Sequence, residues 1–333
     1  MKVSIEALRS ATWRAIAAQG FNEADTEIIL EIILYAQLRG NNQNVIKLLG
    51  AGMPANPDAA AIRIIKDTKL SALIDGGWNQ GMVVVSRATE LAIEKAKTHG
   101  FGIVGTRRSN SPTGAIGYFA RCLADAGLIG FVCSGSMELM AMHGSYEPLF
   151  GTNPLAIGIP TAGKPIVFDM ATAAIAWYGI HLANAEGELI PEGVAYDSDG
   201  RSTTDPAAAL AGAIKAFGGY KGAALALIVE VLTRPLVGAI RDEAGKKLDW
   251  GNLVFAIDPE LLADDLASFQ AGVSDLLTRV KRLKRLPGVE EILAPGERGD
   301  RIFERVMAAG EIELDEQIWL DLQAVGDSVD DAD

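Results

Sequence analysis

Cysteine and histidine are scarce in this chain of 333 residues, which contains two cysteines and three histidines. Cys122 and Cys133 are too few for a disulfide scaffold, and we expect both to be thiols in a reducing cytoplasm. His99, His143 and His181 leave few options for a general base, and we expect no metal site. The sequence also lacks the Walker, CxxC, HExxH and GxSxG patterns, which disfavours zinc hydrolases and nucleophile-elbow hydrolases.

Positive charge is in deficit, and long apolar runs are absent. The chain has 30 Lys and Arg against 43 Asp and Glu, a net charge of −13. Such a balance gives no broad attraction to nucleic acid or to an anionic membrane, and we expect neither as a partner. The longest apolar run, residues 223–232, contains Glu230 and is far shorter than the roughly 20 residues that span a bilayer. Charged residues interrupt the first 19 residues, so we expect no signal peptide.

The remaining composition is that of a globular protein, with 49% apolar and 22% charged residues. Hydrophobic spacing predicts helices over residues 4–18, 86–97, 115–126, 207–216, 221–232 and 261–285. It predicts strands over residues 69–74, 101–105, 128–134, 155–159, 166–168 and 253–258. Asp75, Gly76 and Gly77 are predicted to form a turn, and Asp205 to cap a helix. Because helices alternate with strands, we expect a three-layer α/β core.

The segment from Gly100 to Gly105 matches the dinucleotide fingerprint G-x-G-x-x-G but has the wrong context. A phosphate loop follows a strand and opens a helix, so that the pyrophosphate meets the helix N-terminus. Here a predicted helix precedes the motif and a predicted strand runs through it. We therefore interpret Gly100 as the C-cap of the preceding helix.

Several short polar segments follow one another in a fixed order along the chain. They are LRG, GYFA, EPLFGTNPLAI, VFDMAT, IPEG, DxDGxxTTDP, GGYKG and PGER. In this order and spacing, the sequence resembles the malate/L-lactate dehydrogenase family, which includes ureidoglycolate and sulfolactate dehydrogenases and Δ1-piperideine-2-carboxylate reductases. The resemblance covers nearly the whole chain.

The resemblance implies a fold and an activity. The implied fold is a family-specific, non-Rossmann α/β architecture with a mixed sheet, and the implied assembly is a homodimer. Within it we expect a helical N-terminal part (1–66), an α/β core for cofactor and substrate (67–250), a C-terminal part that packs back on the N-terminal part (251–326) and an acidic tail (327–333). The implied activity is NAD- or NADP-dependent hydride transfer at C2 of a small 2-hydroxy, 2-oxo or cyclic 2-imino carboxylate.

The resemblance also implies a set of cofactor contacts. Residue by residue, the family's contacts correspond to Ser136, Asp169, Met170, Ala171, Lys221, Gly296, Glu297 and Arg298. Backbone groups and a lysine suit phosphates, and carboxylates suit ribose hydroxyls. The nicotinamide supplies the hydride chemistry, and the protein has to position it and move a proton.

The family's catalytic histidines are missing from this chain. Relatives carry a Ser-His-Gly loop followed by an arginine, where this chain has the run Arg39-Gly-Asn-Asn-Gln-Asn-Val-Ile-Lys47. With one deletion, Gln43 takes the histidine position and Lys47 the arginine position; without a gap, Asn44 replaces the histidine. The second family histidine corresponds to Pro112, which carries no proton. By this correspondence, Asn42, Gln43 and Lys47 are the candidate substrate-binding residues.

Three explanations for the missing histidines remain open. The substrate can arrive already protonated, as an iminium, and need no strong base. Another group can have taken the role, and the candidates are Lys47, Tyr118 and His143, although a hydrogen-bonded loop histidine is the plainer interpretation of His143. Alternatively, the chain is a catalytically impaired dinucleotide-binding protein of the same fold.

Overall fold

The computed structural model describes residues 1–41, 44–240 and 249–327. The candidate residues Asn42 and Gln43 and residues 328–333 of the expected acidic tail lie outside this part of the chain. The helices within it are α1 Ile5–Ala17, α2 Glu23–Gln37, α3 Gly81–His99, α4 Gly117–Asp125, α5 Trp177–Glu186, α6 Pro206–Ala211, α7 Tyr220–Thr233, α8 Leu266–Lys281, α9 Glu297–Ala309 and α10 Glu316–Asp327. Two short 3₁₀ helices span Val45–Leu48 and Pro259–Leu261.

The strands of the described residues form three sheets. They are β1 Lys2–Ser4, β2 Arg63–Asp67, β3 Ser71–Asn79, β4 Phe101–Ser109, β5 Ile129–Ser134, β6 Met140–Ala141, β7 Pro148–Phe150, β8 Leu155–Ile159, β9 Ile166–Met170, β10 Ala195–Tyr196, β11 Ser202–Thr203, β12 Ala213–Ile214, β13 Asn252–Ile257 and β14 Glu311–Glu313. The large sheet has the order β2-β3-β4-β13-β5-β8-β9, and a smaller one has the order β11-β10-β12-β6-β7.

The large sheet is mixed, as expected. In the described residues, β3 and β4 pair in parallel. All other pairs of neighbouring strands in the large sheet are antiparallel. Such a sheet differs from the mostly parallel sheet of a Rossmann domain. The predicted non-Rossmann α/β fold is therefore confirmed.

Helices cover both faces of the large sheet. Val104, Val132 and Val254 point to one face and join the main core with α1 to α4. Their chain neighbours point to the other face, where Cys133 and Leu253 pack with residues of α7. This alternation is what the two-residue period of a strand produces. The three-layer arrangement predicted from the sequence is present.

The two ends of the described chain meet. Strand β1 pairs antiparallel with β14, and α10 packs against α1. Trp319 and Leu322 of α10 are buried in the main core. Asp327, the first residue of the expected acidic tail, is the last residue of α10. None of the helices in the described part of the chain has both the length and the apolar character needed to cross a membrane.

The predicted glycine cap and aspartate cap are confirmed. Gly100 has a φ of 81°, and its amide donates to Ala96 O at the end of α3. Strand β4 starts at the next residue, so the G-x-G-x-x-G segment runs through a strand. The Asp205 side chain accepts a hydrogen bond from Ala207 N at the start of α6.

Several predicted elements differ in extent: α3 begins at Gly81, before the predicted residue 86, and β4 continues to Ser109, beyond the predicted residue 105. Strand β3 continues through the glycines of the predicted turn at 75–77, because the missing side chains allow close backbone approach: a Cβ on Gly77 would lie 2.3 Å from Ala60 O. The helix predicted over 207–216 ends at Ala211, and β12 follows it. The helix predicted from residue 261 starts at Leu266, because Asp265 caps it there.

Candidate functional site

A cleft of about 360 Å³ opens at the end of β9 and contains two of the predicted cofactor residues. We call it the Asp169 cleft, and it is lined in part by Tyr35, Arg39, Asn41, Asp169, Gly296 and Asp300. They come from α2 and the residues just after it, from strand β9, and from α9 and the turn before it. Segments that are far apart in the sequence therefore meet at one edge of the large sheet.

Asp169 sits at the amino end of α4. Its Oδ2 accepts a hydrogen bond of 2.8 Å from Gly117 N. Part of the residue is exposed at the cleft. Protein atoms pack around its carboxylate, and this desolvation raises the pKa of Asp169 to about 6. The Gly117 amide acts against this rise because it stabilises the charged form. Perturbed groups in clefts mark functional-site candidates, so Asp169 is well placed for binding.

Arg39 also lines the cleft and lies between two aromatic rings. Its guanidinium carbon is 3.9 Å from the centroid of Tyr35 and 4.5 Å from that of Phe303. Asp300 Oδ1 lies 3.5 Å from Arg39 Nε and 3.2 Å from Arg121 Nη1. Stacking and ion pairing hold this arginine rigidly at the cleft wall. The sequence shows it only as part of the LRG segment.

The turn at residues 295–298 has a specific backbone requirement. Gly296 has a φ of 87°, and a Cβ there would lie 2.8 Å from Val167 O. Glu297 binds Lys281 and Arg301 and accepts a hydrogen bond from Ala294 N at 2.9 Å, which together lower its pKa to about 2. Its carboxylate is thus occupied within the turn.

Met170, Ala171 and Arg298 complete the two predicted cofactor segments around the cleft. Met170 is the last residue of β9 and pairs with Leu155 of β8, and Ala171 packs against the core of the small sheet. Arg298 is exposed at the second position of α9. These three residues adjoin lining residues in the chain but do not themselves line the cleft.

A second polar group surrounds the GTNP segment. Ser136 Oγ accepts a hydrogen bond from Thr152 N at 3.1 Å, and Thr172 Oγ1 donates to Thr152 O at 2.9 Å. Asn153 is fully buried and donates to Glu230 of α7. These bonds tie the segments GTNP and VFDMAT to the helix that begins with the GGYKG segment.

Lys221 lies in the first turn of that helix. Gly218 and Gly219, which precede α7, have φ values of 57° and 63°. Lys221 is exposed there, without a salt bridge to any described residue. The lysine and the GTNP network therefore belong to one part of the molecule.

Lys47 lies in the 3₁₀ helix that follows the cleft residue Asn41. Its Nζ donates to Asn44 Oδ1 at 3.0 Å, and Asn44 Nδ2 donates to Asn41 O at 3.1 Å. Tyr178 of α5 faces it, with its ring centroid 5.5 Å from Nζ. Burial lowers the pKa of Lys47 to about 8. Through these hydrogen bonds, the lysine is connected to the wall of the Asp169 cleft.

The other sequence candidates lie in different surroundings. Tyr118 packs edge-to-face on Tyr35 and Phe119, and burial raises the pKa of its hydroxyl. His143 is exposed and lines a separate cavity of about 320 Å³ beside the small sheet, with Lys215 on its wall. Pro112 accepts a hydrogen bond from Gln80 Nε2 at 3.3 Å.

Sequence reasoning missed the contributions of Tyr35, Tyr178 and Asp300. No motif marks them, because each acts through a neighbour from a distant part of the chain. Among the described residues, no group of three or more His, Cys, Asp and Glu side chains is arranged to hold a metal ion.

Comparison with known protein families supports the motif assignment. A family model described as malate/L-lactate dehydrogenase matches residues 3–323. The L-sulfolactate dehydrogenase of Methanothermobacter thermautotrophicus is 36% identical over 333 aligned residues, which cover 96% of this chain and 94% of that protein. The Δ1-pyrroline-2-carboxylate/Δ1-piperideine-2-carboxylate reductase of Pseudomonas syringae pv. tomato is 34% identical, with 76% of this chain and 74% of that protein covered.

Comparison with solved structures gives the same result for the fold. The sulfolactate dehydrogenase structure from Methanocaldococcus jannaschii superposes with a TM-score of 0.85 and 32% identity. The superposition covers 99% of this chain and 98% of that one. The similarity thus extends over the whole length of both chains.

Proposed function

Because this chain belongs to the malate/L-lactate dehydrogenase family, we propose that it transfers a hydride at C2 of a small 2-oxo, 2-hydroxy or cyclic 2-imino carboxylate. It is an oxidoreductase, and its relatives named above are dehydrogenases and a reductase. The observation that carries the proposal is the connection of a desolvated lysine, Lys47, to the Asp169 cleft through Asn44 and Asn41.

The cleft and the start of α7 supply groups that suit a nicotinamide dinucleotide. Asp169 offers a carboxylate to ribose hydroxyls within the cleft. Arg298 follows the lining residue Gly296, and Lys221 lies outside the cleft lining in α7; both are exposed cations that suit phosphate. The absence of a side chain at Gly296 keeps the backbone of the 295–298 turn close to β9. These residues fit an NAD(H) or NADP(H) cofactor, which supplies the hydride acceptor or donor when it is bound.

We assign the proton to Lys47. Reduction of a 2-oxo acid adds a hydride to C2 and a proton to the carbonyl oxygen. A lysine whose pKa lies near 8 is mostly protonated at neutral pH and is still a competent acid. After the transfer, the neutral amine takes a proton from solvent. In the direction of oxidation, the neutral amine accepts the hydroxyl proton.

The two substrate classes place different demands on Lys47. A 2-oxo acid needs the proton, whereas a cyclic iminium already carries it on nitrogen. Lys47→Met should therefore lower kcat for a 2-oxo acid by about 10²-fold or more, the usual contribution of general acid catalysis. It should change turnover of a cyclic imino acid much less. Lys97→Met, at an exposed lysine of α3, is the matched control.

The test combines binding and turnover. Fluorescence titration measures the Kd of NADH and of NADPH, and a panel of 2-oxo and cyclic imino acids is screened for loss of nicotinamide absorbance. Cofactor binding with turnover of a member of the panel supports the proposal. Cofactor binding without turnover favours a dinucleotide-binding protein without catalysis, and no dinucleotide binding contradicts both functions.

We further propose that the chain works as a homodimer through the outer face of α7. Leu227, Ile228 and Val231 are 43%, 55% and 46% exposed on this helix. Apolar groups in such a cluster are typical of an interface. Ile228→Glu should shift the mass measured by light scattering from two chains to one, whereas Leu320→Glu on α10 should not. An unchanged mass in the Ile228 variant would count against this interface.

A further inference from the structure

Asn44 and Lys47 form a hydrogen-bonded pair at the start of the 3₁₀ helix. Asn44 is fully buried, and both ends of its amide are used: Oδ1 accepts from Lys47 Nζ at 3.0 Å, and Nδ2 donates to Asn41 O at 3.1 Å. An amide with both ends occupied has a single orientation. The oxygen therefore stays directed at the lysine.

The surroundings of Lys47 contain few groups that compensate its charge. Tyr178 faces it from α5, and burial raises the pKa of that phenol, so the ring stays neutral. Helices α1, α2 and α10 also pack against the 3₁₀ helix. The carboxylates of Glu27 and Glu31 on α2 bind Arg9, and Asp327 on α10 pairs with Arg14.

Lys47 thus relies on a neutral partner for its ammonium form. No salt bridge with Lys47 is formed in the described part of the chain, and burial alone accounts for its lowered pKa. A hydrogen bond from an ammonium to an amide oxygen favours the charged form. The same bond restricts a side chain that is otherwise flexible.

We propose that Asn44 is the positioning residue of the proton donor: it holds the Lys47 ammonium between its own amide and the Tyr178 ring of α5, one hydrogen bond away from Asn41 at the cleft wall. The inference rests on the proposed function for the role of Lys47. It assigns to an asparagine and a lysine of one short segment the work for which relatives of this family use histidine. The charge of Lys47 and its orientation then depend on one neutral side chain.

Two substitutions at Asn44 should move the titration of Lys47 in opposite directions. Asn44→Ala removes the acceptor, and the pKa of Lys47 should fall by about one unit. Asn44→Asp is nearly isosteric and introduces a negative charge, so the pKa should rise by about one unit or more. Asn110→Ala, at an exposed loop position, is the control.

NMR of protein labelled with 13C at lysine Cε measures the Lys47 pKa directly, with Lys47→Arg to identify its signal. The high-pH limb of the kcat profile for 2-oxo acid reduction should move by the same amount in each variant. In Asn44→Ala, kcat should fall about tenfold while KM changes little, because the proton and not the substrate is misplaced.

The possible results distinguish the role of the Asn44–Lys47 pair from the proposed enzymatic activity. Opposite shifts of the Lys47 pKa in the two Asn44 variants, with a matching shift of the kcat limb, support the proposal. The proposal is overturned if the Lys47 pKa is the same in wild type, Asn44→Ala and Asn44→Asp. It is also overturned if the high-pH limb of the kcat profile does not shift with the Lys47 pKa measured by NMR. If the wild type turns over no substrate of the panel, the proposed function fails, but the NMR titration still decides the pairing.

Discussion

At the scale of single residues, environment decides what a side chain can do. Asp169 and Glu297 are both carboxylates in the segments expected to contact the cofactor. Desolvation raises the pKa of Asp169 to about 6, whereas Lys281, Ala294 N and Arg301 lower that of Glu297 to about 2. Asp169 is therefore the carboxylate still available to a ligand, and Glu297 stabilises the turn that carries Arg298.

Asp169→Asn should weaken cofactor binding and raise the stability of the folded chain at alkaline pH. The folded-state pKa of Asp169 is raised, so its contribution to stability is present below its ordinary pKa of 3.8 and is lost as the pH rises through about 6. The variant should therefore have a higher Tm than wild type at pH 8, with little difference at pH 4. The Kd for the nicotinamide cofactor should rise about tenfold, because a charged acceptor is lost.

Thermal unfolding at the two pH values and fluorescence titration at pH 7.5 measure the two effects. Asp264→Asn, at an exposed position before α8, is the matched control. A variant at Asp169 that binds the cofactor as tightly as wild type would exclude this carboxylate from the binding site.

At the scale of elements, glycine-containing segments of this chain adopt different structures. Three such segments occupy different structural positions: Gly100 ends a helix, Gly76 and Gly77 lie inside β3, and Gly218 and Gly219 precede α7. The residue type alone permits all of these conformations. What distinguishes them is the neighbouring backbone, which comes from another part of the chain.

Glu297 joins α9 to α8 through its ion pair with Lys281 and forms a second ion pair with Arg301 within α9. Glu297→Gln should lower the free energy of unfolding by about 0.5–1.5 kcal/mol at neutral pH and low salt. Because the pKa of Glu297 is lowered, this contribution is present above its ordinary pKa of 4.5 and is lost as the pH falls through about 2. The difference from wild type should therefore shrink in acid.

Urea unfolding at pH 7 and at pH 2.5 measures this difference. Glu304→Gln provides the comparison, since the pair of Glu304 with Lys164 is exposed and should contribute less than about 0.5 kcal/mol. Equal destabilisation by the two variants would contradict a special role for Glu297.

At the scale of the whole molecule, the two ends of the described chain form one structure. The pairing of β1 with β14 and the packing of α10 on α1 bring residues from opposite ends into the main core. That core also includes α2, which supplies Tyr35 at the cleft. Stability of the chain ends and geometry of the cleft are therefore coupled through shared packing.

Leu322→Ala should destabilise the whole molecule. Leu322 is fully buried on α10, and truncating a buried leucine costs about 2–5 kcal/mol. Urea unfolding followed by tryptophan fluorescence and by circular dichroism should give coincident transitions at a lower midpoint. Leu320→Ala, at a residue that is 50% exposed, should change the midpoint little. Separate transitions by the two probes would show that α10 unfolds on its own.

The family and most of the elements followed from the sequence by itself. Motifs such as EPLFGTNP and VFDMAT, the caps at Gly100 and Asp205, and the alternation along β5 and β13 depend on residues that are close in the chain. Local geometry and hydrophobic periodicity are sufficient to determine such features.

Only the tertiary structure decided what stands near Lys47 and Asp169. Desolvation, stacking and long-range hydrogen bonds depend on side chains that folding brings together. Tyr178 reaches Lys47 from α5, and Gly117 reaches Asp169 from α4. Burial in the folded chain moves the two pKa values towards neutral pH, and the Gly117 amide acts against the shift of Asp169. Neither residue type nor spacing shows this in advance. The sequence placed Lys47 close to asparagines, and folding produced the buried environment in which we propose that it moves the proton.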